Sequence, residues 1–121
     1  MKRITELDKN EIFVFGSNEA GIHGAGAAKD AVTYFGAKWG QGFGLMGQSF
    51  GIPTKDWNIK KLNTMVIHFY VQRFLEFARS NPDLTFIVTP IGTGLAGNHP
   101  NLIKSMFYNI TNNVKLPEEF K

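Results

Sequence analysis

Glu11-Ile12-Phe13-Val14-Phe15, stopped by Gly16-Ser17-Asn18, is a run of β-branched and aromatic residues of the kind that fills a strand buried on both faces. Glycines follow it at Gly21, Gly24 and Gly26. From Gly26 onward Ala27, Ala28, Ala31, Val32 and Phe35 keep helical spacing opposite Lys29 and Asp30, until Gly36 offers a stop. The segment reads as strand, glycine loop and short amphipathic helix. The same succession returns near the other end of the chain. Leu84-Thr85-Phe86-Ile87-Val88-Thr89 predicts a strand, Gly92-Thr93-Gly94-Leu95-Ala96-Gly97 follows it, and Pro100 suits the first turn of a helix. The apolar stripe of that helix would be Leu102, Ile103, Met106, Phe107 and Ile110.

Between these two units, Ile67, Tyr70, Val71, Phe74, Leu75 and Ala78 predict a helix from Thr64 to Ser80, with His68, Gln72, Glu76 and Arg79 on its polar face. Before it, residues 37–51 carry too many glycines for a helix and read as loop and short strand. A further strand is expected over Ser49-Phe50-Gly51-Ile52-Pro53-Thr54, terminated by Pro53, with a polar connection from Asp56 to Asn63. Alternating strands and helices imply right-handed βαβ crossovers. The expected fold is a single α/β domain over residues 1–121, three-layered and Rossmann-like, with a mixed, largely parallel sheet and both glycine loops at its carboxyl edge.

Composition agrees with one soluble domain: 121 residues, 43% hydrophobic and 13% aromatic, can build a core. With no cysteine, disulfides, thiolate metal sites and a cysteine nucleophile are excluded. The first residues, Met1-Lys2-Arg3 and onward, lack the apolar run of a signal peptide, and no stretch reaches a membrane-spanning length, so a cytoplasmic protein with no membrane partner is expected. Net charge is +3, but the thirteen basic residues are scattered. Such a pattern disfavours nucleic acid as the partner and leaves room for a small anion.

The loop from Gly16 to Gly26 leaves a strand and enters a helix, where backbone amides point above the sheet and glycines let a phosphate approach them. Glycines also serve tight turns without any ligand, yet two such loops in equivalent places could clamp a diphosphate from both sides. Gly21, Gly24 and Gly26 do not reproduce the dinucleotide fingerprint, and no Gly-Lys-Ser/Thr of a Walker loop occurs. His23 could donate to a phosphate or act as acid or base, or it could cap loop carbonyls. His99 reads as a turn or helix-start residue and His68 as solvated. The three histidines fall on different elements, so no metal site is expected. In Pro53-Thr54-Lys55-Asp56-Trp57, Lys55 could supply charge to a phosphate, Asp56 a hydrogen bond to a ribose or base or the activation of a water, and Trp57 a stacking surface. Alternatively Lys55 and Asp56 form an exposed ion pair and the indole covers a core edge.

A strand ending in Asn18, the segment His23-Gly24-Ala25-Gly26-Ala27-Ala28 opening a helix, and a later strand leading into Ile91-Gly92-Thr93-Gly94-Leu95-Ala96-Gly97 together resemble a compact macro domain, of the ADP-ribose-binding family. A closer resemblance is to a group of small phage-associated proteins. It runs over most of residues 11–100 and rests on Phe15-Gly16-Ser17-Asn18, Gly21-Ile22-His23-Gly24-Ala25-Gly26-Ala27-Ala28, Ile52-Pro53-Thr54-Lys55-Asp56 and Gly92-Thr93-Gly94-Leu95-Ala96-Gly97. These resemblances imply that Asn18 contacts a ribose and that Gly24 to Gly26 and Gly92 to Gly97 hold phosphates. The acidic residue with which macro domains read adenine has no clear counterpart here.

The candidate ligand-binding set is therefore Gly16, Ser17, Asn18, Gly21, His23, Gly24, Ala25, Gly26, Lys55, Asp56, Gly92, Thr93, Gly94, Leu95, Ala96 and Gly97, with His23 and Asp56 as candidate catalytic groups. The function expected is binding of a phosphorylated nucleotide-derived small molecule, ADP-ribose-like or a cyclic nucleotide signal. The phage resemblance implies sequestration of a host defence signal in a bacterial cytoplasm. An ADP-ribosyl hydrolase of the same fold is the alternative, with no cofactor in either case. The many aromatics and the segment Leu116-Pro117-Glu118-Glu119-Phe120 would permit a homo-oligomer.

Overall fold

The computed structural model describes residues 2–121. Five strands form one mixed, mostly parallel sheet: β1 (Glu11–Asn18), β2 (Gly44–Met46), β3 (Ser49–Lys55), β4 (Thr85–Val88) and β5 (Val114–Lys115), in the order β2-β3-β1-β4-β5. Only the β2–β3 hairpin is antiparallel. The helices are α1 (Gly26–Phe35), α2 (Thr64–Ser80) and α3 (Pro100–Ser105), with a 3-10 turn over Glu118–Phe120. No helix among the described residues is long and apolar enough to cross a membrane.

Successive residues of the central strand β1 point to opposite faces, and the core divides accordingly. Phe13 and Phe15 pack with Ala28, Ala31 and Phe35 of α1, while Ile12 and Val14 join Ile67, Val71, Phe74, Leu75 and Ala78 of α2 and Ile103 of α3. Helix α1 thus covers one face and α2 and α3 the other, in three layers. On the α1 face β3 presents Ser49, Gly51 and Pro53, and the chain comes close there. A Cβ built on Gly51 would lie 2.4 Å from the Gly42 carbonyl. Each fully buried phenylalanine contributes on the order of 2 kcal/mol over its exposed state.

Helix ends follow local chemistry. The Asn63 side chain accepts the Met65 amide to start α2, and Gly36, at φ 77°, closes α1 with its amide on the Ala31 carbonyl. Helix α3 stops at Ser105, short of the stripe that extends to Ile110, because Gln72 of α2 takes the Met106 carbonyl at 2.8 Å and exchanges hydrogen bonds with the Asn109 amide. The expected strand end at Pro53 is also corrected: β3 runs on to Lys55. Strand β2 pairs only with Ser49 to Gly51, so the missing N–H of Pro53 interrupts no ladder on that flank. At the outer edge, Gln41 donates its side-chain amide to the carbonyls of Phe43 and Leu45 along β2. The C-terminal segment folds back on its own chain, with Phe120 buried against Phe107 at a ring distance of 5.8 Å.

Candidate functional site

Strands β3, β1 and β4 are parallel neighbours, so the loops that leave their carboxyl ends run side by side. From β1 the chain passes through α1 on one face towards β3. From β4 it passes through α3 on the other face towards β5. Where two adjacent strands send their connections in opposite directions, the loops part and leave a crevice. A cleft of about 450 Å³ lies there, within the range of small-molecule sites. Its lining comes from the end of β1 (Gly16, Ser17, Asn18), the entry to α1 (Gly24 to Ala28), the end of β3 (Thr54, Lys55), and the loop after β4 (Thr89 to Gly92 and Gly94 to Ala96), together with Ile22 and Ile59.

The first loop is braced from within. Asn18 uses both halves of its amide locally, accepting the Ile22 N–H at 2.9 Å and donating to the Ile22 carbonyl at 2.8 Å. Gly21 adopts φ 72° and donates its amide to the Asn18 carbonyl, while its own carbonyl accepts the Gly40 amide. Ser17 donates its hydroxyl to the Gly42 carbonyl. His23 is 1% exposed, with Nε2 within 2.8 Å of the Lys38 carbonyl and 3.0 Å of the Gln41 carbonyl and its ring edge-on to Phe15. This histidine fastens the loop to residues 38–41.

The second loop is pinned at both ends. Thr89 places its amide and its hydroxyl on the Val14 carbonyl, and Asn98, buried, puts its backbone and side-chain N–H groups on the Gly92 carbonyl at 2.9 Å each. Between these pins the amides of Gly94, Leu95 and Ala96 donate to no group among the described residues. Opposite them stands the start of α1, whose amides at Gly26, Ala27 and Ala28 have no carbonyl one turn back. No side chain caps them and no acidic residue occupies that first turn. Two sets of donors that no group among the described residues satisfies therefore border one cleft.

Charge points the same way. Lys55 is the only ionisable side chain on the lining, and it pairs with no carboxylate among the described residues. Register brings it there, since β1 and β3 align Asn18 with Lys55 across a bulge. Two glycines of the lining, Gly24 and Gly94, have no negative-space reason of their own to be glycine. A Cβ on Gly94 would meet nothing within 4 Å, one on Gly24 only the Trp39 ring at 4.0 Å, and neither backbone is left-handed.

Of the residues singled out in the sequence, the cleft gathers Gly16, Ser17, Asn18, Gly24, Ala25, Gly26, Lys55, Gly92, Gly94, Leu95 and Ala96. Gly21, His23, Asp56, Thr93 and Gly97 are not part of its lining. Asp56 turns its Oδ1 onto the amides of Asn58 and Lys60, closing its own turn in place of pairing with Lys55, and Trp57 is exposed. Thr93 donates its hydroxyl to the Pro90 carbonyl at 2.7 Å. His99 caps α3 through Nδ1, which accepts the Asn101 amide. No cluster of three or more histidine or carboxylate residues suited to a metal ion occurs among the described residues. Ile22, Thr54, Ile59, Thr89 and Asn98 were not singled out. For Asn98 a signal existed: a polar residue directly after a glycine run, where an amide can fasten the turn. Glu19, next to Asn18, accepts the Tyr70 hydroxyl at 2.6 Å. Burial, then this bond, push the Tyr70 hydroxyl up to about 12.

Comparison of the chain with protein-family models, curated proteins and solved structures finds no match.

Proposed function

We propose that the chain binds a phosphorylated, nucleotide-derived small molecule in the cleft between the β1 and β4 loops, an ADP-ribose-like compound or a cyclic nucleotide signal. The observation that carries this reading is one cleft bordered by unpaired backbone amides from two loops and by a single lysine, with no carboxylate on its lining. Amides fixed before the ligand arrives and a helix start of positive potential favour a phosphate over a neutral or cationic group. The resemblance to phage-associated proteins suggests a purpose, the sequestration of a host defence signal in a bacterial cytoplasm.

Binding is preferred to hydrolysis of an ADP-ribosyl bond because general acid–base chemistry needs a titrating group within reach of the reacting bond. His23 is held by loop carbonyls, Asp56 by its own turn and Glu19 by Tyr70, and none of the three lines the cleft. The test is to incubate the protein with ADP-ribose, cyclic ADP-ribose isomers and cyclic oligonucleotides, remove unbound ligand, heat-denature and identify what is released. Recovery of an intact nucleotide is the expected outcome. A converted product would establish the hydrolase, and retention of none of them would refute the assignment.

A further inference from the structure

Ile59 is the one non-glycine among the described residues with a positive φ, 62°. A β-branched side chain disfavours that conformation more than almost any other, and such outliers persist only where the surroundings over-determine them. Here they do. Asp56 Oδ1 accepts the amides of Asn58 at 2.8 Å and Lys60 at 3.0 Å, the Asp56 amide donates to the Lys60 carbonyl, and the Ile59 amide donates to the Asp56 carbonyl. The turn does not bury the side chain it strains. Ile59 is 40% exposed and lines the cleft.

Two other aliphatic side chains line the same cleft and remain open to water: Ile22, 49% exposed, from the loop after β1, and Leu95, 84% exposed, from the loop after β4. Single exposed aliphatics are ordinary, but here three adjacent loops each contribute one to the same opening. Resting on the reading of the cleft as a phosphate site, we infer that Ile22, Ile59 and Leu95 form an apolar jaw for a flat unsaturated ring attached to the phosphorylated part, such as a nucleobase. Ile59 sets the preference for a ring-bearing ligand over a bare sugar phosphate. The backbone amides supply affinity for phosphate without regard to what it carries, so discrimination falls to these side chains.

Ribose 5-phosphate, AMP and UMP test this, because the last two carry a base where the first carries its anomeric hydroxyl. The wild-type protein is expected to bind at least one of the two nucleotides about tenfold or more tightly than ribose 5-phosphate in calorimetric titration. In Ile59→Asn, which keeps a side chain tolerant of the left-handed turn, and in Ile59→Gly, that preference is expected to fall about fivefold, the loss of one buried aliphatic contact. Affinity for ribose 5-phosphate falls less than affinity for the preferred nucleotide, and the melting temperature is unchanged or higher because strain is relieved. An undiminished preference in both variants, or no preference in the wild type, overturns the inference and leaves the phosphate site standing. Equal weakening of all three ligands also overturns it, by making Ile59 a support for Lys55. If the wild type binds none of the three, the jaw falls; the phosphate site falls with it only if ADP-ribose and the cyclic nucleotides are not retained either.

Discussion

Gly42 and Gly94 are glycine for opposite reasons. A Cβ on Gly42 would lie 2.1 Å from the Asn18 carbonyl oxygen and 3.2 Å from Glu19 Cα, because the chain before β2 runs hard against the end of β1. A Cβ on Gly94 would meet nothing within 4 Å. One glycine is required by the packing of the protein against itself. The other is required by nothing in the protein, and together with Gly24 it borders the cleft. Beyond the left-handed turns at positions such as Gly21 and Gly36, glycine therefore marks two further things in this chain, close backbone approach on the braced side of the first loop and reserved space on the open side of both. A sequence read without coordinates does not separate them.

The largest expected effect falls on the braced side. Gly42→Ala should destabilise the fold by about 3 kcal/mol or more, because the collision is with backbone and no rotamer relieves it. A thermal melt should register this as a fall in midpoint on the order of 10 °C. A melt within a degree or two of wild type would break the distinction. On the open side the expectation inverts. Gly24→Val and Gly94→Val should leave stability within about 1 kcal/mol while weakening nucleotide binding by about tenfold or more, since the added methyl groups occupy the space a phosphate would need. Circular dichroism and calorimetry on the same preparations decide it. Destabilisation comparable to that of Gly42→Ala would place these glycines in the packed class.

A smaller effect sharpens the contrast through pH. The hydroxyl of Tyr70 holds Glu19 on the braced side, and its titration is pushed up to about 12 from an ordinary value of 10.0. A group whose proton is held more tightly in the folded state stabilises the fold fully below its unfolded titration point. That contribution is lost as pH rises from about 10 towards 12. Urea unfolding of the wild type should weaken across this window, whereas Tyr70→Phe, costing about 1 kcal/mol at neutral pH for the lost hydrogen bond, should be flatter there. Parallel curves for the two proteins would remove Tyr70 from the bracing.

The architecture was legible because it rests on patterns with one physical meaning. The run Glu11 to Phe15 could be a doubly buried strand, the spacing from Thr64 to Ser80 could be a helix, and the structure has both. Part of what escaped depended on partners distant in sequence. Pro53 sits inside β3 because β2 is too short to reach it, and α3 stops early because Gln72 intercepts a carbonyl 34 residues away. In the cleft, the alternation of strands and helices placed both glycine segments at one sheet edge, and Lys55 joined them only on the condition that its strand is parallel, as β3 is. His23 and Asp56 looked chemical because they titrate, yet their hydrogen bonds go to carbonyls at Lys38 and Gln41 and to amides at Asn58 and Lys60. The strain at Ile59 has no sequence signature, since its turn is set by a carboxylate three residues earlier.

The amide of Gln41 across the Phe43 and Leu45 carbonyls has a bearing on how the molecule behaves in company. A sheet rim with open acceptors is a template on which an unfolded neighbour can register its own backbone, the first step of edge-to-edge aggregation. With those acceptors already engaged by its own chain, the rim is blunted from inside, and a crowded solution finds no ready ladder to extend there.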